Sequence, residues 1–229
     1  MSELVLLPGL ICDGRLWRDV VDLLALESRP MIADLTADSS IAAMASRVLS
    51  AAPERFCLAG LSMGGYVALE IMRQAPERVS HLALLDTSAR PDDAARKDKR
   101  RAGIAAAEQG GFLHVARNML PGLLAPDHLK PLGEEVQAMS KRVGEFAYVR
   151  QQTAIMGRID SRPTLGAIAV PTLVGVGELD TLTPPEVAAE LAEGISGADM
   201  VTFAGSGHMS TMEAPAAVAA ALRSWMERG

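Results

Sequence analysis

The chain has 229 residues, 49% of them hydrophobic, which suits one domain with a modest insertion and a sizeable core. A formal net charge of −6 argues against nucleic acid or an anionic membrane as a main partner. Two cysteines, Cys12 and Cys57, are too few for a disulfide framework, and without a C-x-x-C pair or a His-rich cluster nothing points to zinc or another cofactor.

The N-terminal residues lack a basic segment, and their apolar run is too short for a signal peptide. No window approaches the roughly 18 apolar residues of a membrane span, so a cytoplasmic protein is expected. Residues 4–7 form an apolar run ended by Pro8 and Gly9, the mark of a buried strand. Residues 16–26 have helical spacing, with Leu16, Val20, Leu23 and Leu24 on one face. A second strand is expected over 31–35. A helix capped by Ser39 or Ser40 then runs to Ala51 and carries Ile41, Met44, Val48 and Leu49 on one side. Residues 56–61 read as the third strand, 63–74 as a helix and 79–85 as the fourth strand. Strands this apolar are buried on both faces, and repeated βα units make the sheet parallel with helices on both sides.

The alternation breaks near Arg90. Residues 90–166 show only helical segments, expected over 96–109, 112–120, 134–143 and 144–159, with Phe146, Val149, Thr153 and Met156 sharing a side of the last. Pro121, Gly122, Pro126, Pro131 and Gly133 punctuate the joints. The basic run from Arg96 to Arg101 follows Asp92 and Asp93 and reads as a solvated helix face. Residues 170–177 restore the strand pattern. Pro184 and Pro185 open a helix through Glu193, residues 200–203 form the last strand, and 212–227 form a closing helix with Val218, Leu222 and Trp225 inward. The expected domains are thus a core of residues 1–89 and 167–229 and a helical cap of 90–166.

Chemistry concentrates at Ser62, in Gly60-Leu61-Ser62-Met63-Gly64-Gly65 between a strand and a helix. A serine hydroxyl becomes a nucleophile only when a turn exposes it and a base takes its proton. Of four histidines, only His208, in Gly205-Ser206-Gly207-His208, follows a strand at the carboxyl edge where Ser62 sits. His81 lies at the opposite end of its strand, His114 in the helical block and His128 in a proline-rich joint. Asp180 is the favoured orienting carboxylate. Glu178, nearer the strand end, and Asp86, which follows residues 79–85, are contenders, Asp86 otherwise serving loop amides near the site. The backbone N–H groups of Met63 and Leu10 are the expected oxyanion donors, Gly9 allowing the turn that aims Leu10. Cys57 reads as buried, and Cys12, in the Leu10 loop, as partly accessible.

With these residues the chain resembles the α/β-hydrolase superfamily over essentially its whole length, in the manner of small bacterial carboxylesterases and enol-lactone hydrolases. Residues 60–65 match the nucleophile elbow, Gly177-Glu178-Leu179-Asp180 with Thr183-Pro184-Pro185 the acid loop, and 205–208 with Met212-Glu213-Ala214-Pro215 the histidine loop and the following helix. The order Ser62, Asp180, His208 is the family's order. The resemblance implies a mostly parallel sheet with a helical cap between its sixth and seventh strands, the chain opening at the strand usually numbered third so that the two leading strands are missing. Leu7-Pro8-Gly9 stands where many members have His-Gly.

The implied activity is cofactor-free cleavage of a small or medium ester or lactone by Ser62, with Phe112, Leu113, Met119, Leu120, Leu123, Leu124, Phe146 and Met156 as apolar candidates to roof the pocket. A ligand-binding or signalling protein on the same fold, a perhydrolase and a C–C hydrolase remain alternatives. Epoxide and haloalkane hydrolysis would want a carboxylate at position 62.

Overall fold

A computed structural model describes residues 3–228; residues 1, 2 and 229 of the expected core lie outside them. Six strands, β1 (Glu3–Leu7), β2 (Met31–Ile32), β3 (Phe56–Leu61), β4 (Val79–Leu85), β5 (Thr172–Gly177) and β6 (Asp199–Phe203), form one sheet of order β2-β1-β3-β4-β5-β6. Every pairing is parallel. The pleat divides the strand residues between two cores. Val5, Leu7 and Leu58 pack beneath helices α2 (Ile41–Ala51), α3 (Met63–Gln74) and α8 (Pro185–Gly194). Leu4, Leu6, Ala59 and Leu61 pack beneath α1 (Arg15–Leu24) and α10 (Pro215–Met226), where Trp17 and Trp225 are fully buried. Helices on both faces explain why these strands lack polar alternation.

The strands and helices read from periodicity recur with shifted ends. The second strand pairs over only Met31 and Ile32, though Ala33 N–H still bonds the Leu6 carbonyl at 3.0 Å. Ser40, not Ser39, caps α2, its hydroxyl accepting from Ala43 N–H at 3.2 Å. The closing helix breaks in two, α9 (Ser210–Glu213) and α10, because Pro215 has no N–H to continue the first and suits the first turn of the second.

Between β4 and β5 the described chain contains no strand. Helices α4 (Ala94–Ala106), α5 (Phe112–Leu123), α6 (Pro126–Val143) and α7 (Glu145–Met156) fill it, α4 and α5 joined by a wide turn at Ala107–Gly111. Pro121 and Pro131, read as joints, lie inside α5 and α6. Each removes one backbone hydrogen bond, but both prolines are exposed, and the carbonyls they release belong to exposed Arg117 and Asp127, within reach of water. The face of α7 also differs from expectation. Phe146 is 78% exposed and Thr153 is exposed, whereas Ala147, Tyr148, Gln151, Gln152, Ala154 and Ile155 are buried. The glutamines turn inward because polar partners await them there: Gln151 accepts from Ile11 N–H at 2.9 Å and donates to the Leu35 carbonyl at 3.1 Å, and Gln152 accepts from Arg100 at 2.6 Å. No helix of the described residues is long and apolar enough to cross a membrane.

Candidate active site

Ser62 joins β3 to α3 with φ 55° and ψ −113°, a conformation costly for a residue bearing a Cβ. The surroundings hold it there. Its N–H donates to the Leu85 carbonyl at 2.9 Å, and its own carbonyl accepts from Thr87 Oγ1 at 2.7 Å and Gly65 N–H at 2.9 Å. The turn also needs close approach: a Cβ on Gly64 would run into the Leu7 carbonyl. The result pushes the hydroxyl up at the carboxyl edge of the sheet.

His208 lies beyond β6 and is 4% exposed. Its Nε2 is 2.8 Å from Ser62 Oγ and its Nδ1 is 2.7 Å from Asp180 Oδ2. The tautomer protonated on Nδ1 satisfies both contacts: that N–H donates to Asp180, and Nε2 accepts from the Ser62 hydroxyl. Asp180 is held in turn by Leu182 N–H at 2.8 Å and Thr183 N–H at 3.0 Å on Oδ1, and by Thr183 Oγ1 at 2.7 Å on Oδ2. Burial alone would raise the Asp180 pKa, but the His208 ring and the Thr183 donors outweigh it and hold the carboxyl below its usual range. Burial likewise opposes charge on His208, yet Asp180, assisted by Asp86 and Glu213, holds the imidazole above the ordinary histidine value.

The other candidates fall elsewhere. Glu178 is exposed and accepts from Gly205 N–H at 2.9 Å. Asp86 is fully buried and accepts from Gly177 N–H at 2.8 Å and from the Ser210 hydroxyl, so it ties the ends of β4 and β5 to α9; burial pushes its pKa up to about 7. His81 meets the Arg228 carbonyl at 2.7 Å and stacks edge-on against Trp225, and His114 pairs with Asn118. Cys12 is buried rather than partly accessible, its thiol against the Leu10 carbonyl at 3.2 Å and its pKa pushed up to about 12 by burial. Both cysteines are free.

The loop after β1 turns tightly, Cys12 N–H donating to the Gly9 carbonyl at 3.2 Å. Ile11 takes a left-handed φ of 52°, and Gln151 holds its N–H. Neither Leu10 N–H nor Met63 N–H finds an acceptor among the described residues, and Met63 opens α3, where the helix leaves such donors free. A cavity of about 540 Å³ adjoins Ser62, Leu10 and His208. Met119 and Leu123 line it as expected, but Leu113 and Phe146 point to solvent. Tyr148 and Gln152 line it unforeseen, as do Arg96, Lys99 and Arg100 from the run read as a solvated face.

Glu213, in the sequence one residue of the segment after the histidine loop, clamps three backbone amides. Its Oε2 accepts from Ala125 N–H at 2.7 Å and Gly207 N–H at 3.0 Å, and its Oε1 from Met209 N–H at 3.0 Å. One carboxylate thereby joins the His208 loop to the joint between α5 and α6. Its place five residues after His208 was the only sequence signal.

A parallel sheet that carries a strained serine and, across its carboxyl edge, a histidine backed by a carboxylate defines the α/β-hydrolase class. The profile of the alpha/beta hydrolase family matches residues 4–221, and the chain belongs to that family. It is similar to pimeloyl-[acyl-carrier protein] methyl ester esterases. That of Vibrio campbellii is 30% identical over 227 residues, covering 92% of this chain and 89% of the relative, and that of Aliivibrio salmonicida is 28% identical over 226 residues, covering 90% and 85%. Among solved structures, a thermophilic esterase from Thermogutta terrifontis with malate bound superposes with a TM-score of 0.89 at 28% identity, over 99% of this chain and 89% of that one. The enol-lactonase from Burkholderia xenovorans LB400 shares the fold, with a TM-score of 0.88 at 23% identity over 100% and 92%.

Proposed function

We propose that the chain is a serine hydrolase that cleaves a small or medium carboxylic ester or lactone through an acyl-enzyme on Ser62. The observation that carries this reading is the unbroken run from Ser62 Oγ to His208 Nε2 at 2.8 Å and from His208 Nδ1 to Asp180 Oδ2 at 2.7 Å. The relatives named as methyl ester esterases support a carboxylic ester as the bond attacked.

In this reading His208 takes the Ser62 proton as the hydroxyl attacks the carbonyl carbon. Asp180 holds the ring and stabilises its positive form. The free N–H groups of Met63 and Leu10 receive the oxyanion. His208 then protonates the leaving alcohol, and the acyl-enzyme forms. A water gives its proton to His208 and attacks the acyl carbon; His208 then returns that proton to Ser62 Oγ as the bond from Oγ to the acyl carbon breaks and the acid leaves. Residues 90–166 act as a cap over a core of 1–89 and 167–229, and a cytoplasmic setting goes with the proposal.

The test is hydrolysis of p-nitrophenyl acetate together with labelling by a fluorophosphonate. Rapid turnover and labelling, both lost in Ser62→Ala, support the hydrolase. Labelling with only trace turnover favours a ligand-binding protein, and full turnover by Ser62→Ala overturns the assignment.

A further inference from the structure

The cavity beside Ser62 has a one-sided charge. Arg96, Lys99 and Arg100 line it, and among the described residues no aspartate or glutamate does. This opposes the protein as a whole, whose net charge is −6. The three cations and Gly103 stand at i, i+3, i+4 and i+7 of α4, so they share one helix face. A Cβ on Gly103 would strike the Tyr148 hydroxyl, so the helix lies close against α7 there, its cationic turns at the cavity.

The partners of these cations do not cancel the charge. Arg100 is held by buried Asp92 and by Gln152 Oε1 at 2.6 Å, and Arg158 meets the same Asp92 at 2.9 Å. One carboxylate between two guanidiniums leaves a positive excess. Among the described residues neither Arg96 nor Lys99 has a carboxylate within ion-pair distance. Arg96 reaches the loop that carries Asp180, its Nη2 at 3.5 Å from the Leu182 carbonyl. Apolar Met119 and Leu123 line the same space.

We infer that this cavity selects an ester bearing a free carboxylate remote from the scissile bond, seated against Arg96, Lys99 and Arg100 while its apolar chain lies along Met119 and Leu123. This rests on the hydrolase reading of Ser62. An apolar trough that holds both uncancelled cations and the nucleophile suits a hemiester of a dicarboxylic acid better than a neutral ester. Arg96 and Lys99 are exposed at the cavity and Arg100 is half-buried, and a carboxylate gains from cations whose charge is not already spent inside the cavity.

The experiment compares monomethyl succinate, glutarate and adipate with their dimethyl esters. The best hemiester should exceed its diester about tenfold in kcat/KM, mainly through KM, and the gap should narrow at high salt. In the double variant Arg96→Gln, Lys99→Gln the hemiester-to-diester ratio should fall close to one. A wild-type ratio of one or less, or a ratio unchanged in the double variant, overturns the subsite. Should no ester be cleaved, the hydrolase reading fails by itself, and calorimetry of adipate with the wild-type chain judges the subsite: binding lost in the double variant supports it, and no binding overturns it.

Discussion

Ser62 occupies a backbone conformation that only its neighbours make tolerable, and that conformation exposes its hydroxyl to His208. Because triad members act as a unit, Ser62→Ala or His208→Ala should each lower kcat by about 10⁴-fold or more while the fold survives, measured by steady-state kinetics beside circular dichroism. The pH profile has a definite sign. In the proposed mechanism His208 must be neutral to accept the serine proton, so kcat/KM should rise with pH through its pKa, and that pKa is held above the ordinary 6.5. The rising limb should therefore sit above pH 6.5. Asp180→Asn removes the charge that holds it there, so the limb should move to lower pH as the plateau drops. A limb that stays in place in Asp180→Asn would count against Asp180 as the partner. The meeting of Ser62, Asp180 and His208 at one sheet edge was legible because glycine-rich turns after apolar runs mark the strand ends. Gln151 was not legible: a glutamine on a helix carries no sign that it will meet the left-handed turn at Ile11.

Between elements, Glu213 joins the His208 loop to the α5–α6 joint through three amides. Glu213→Gln replaces an acceptor-only group with one that must present an NH₂ to an N–H. It should cost about 2 kcal/mol or more of unfolding free energy and lower kcat more than it changes KM, checked by urea unfolding and kinetics. Gln151→Ala leaves Ile11 N–H and the Leu35 carbonyl unpaired in a buried site. A loss of about 1–3 kcal/mol and a reduced kcat should follow, since the Leu10 turn is no longer braced. Strands and the α3 helix were legible as elements, because apolar runs and a 3.6-residue period are local properties. Hydrophobicity alone places Phe146 on the inner face of α7, whereas buried backbone groups draw Gln151 inward and Arg100 draws Gln152.

Across the whole molecule, Asp92 in the segment after β4 binds Arg100 of α4 and Arg158 beyond α7, and the Arg158 guanidinium lies 4.3 Å from the centre of the Tyr66 ring of α3. This cluster ties both ends of the helical block to each other and to α3. Asp92→Asn would leave two buried or half-buried guanidiniums facing each other. It should cost about 3–5 kcal/mol and lower Tm by roughly 10 °C for a chain of this size, read by calorimetry.

By itself the sequence determined the parallel sheet, the strand ends and the residue types gathered there, because burial on both faces and glycine-rich turns are written locally along the chain. Tertiary structure alone decided which further groups meet. It set Asp86 to bracing strand ends and left Asp180 facing His208. It buried Cys12, turned Gln151 toward the Leu10 loop and brought Arg96, Lys99 and Arg100 to the wall of the cavity. The charged run is solvated as its composition suggests, but which cavity its exposed cations border depends on contacts between residues distant along the chain.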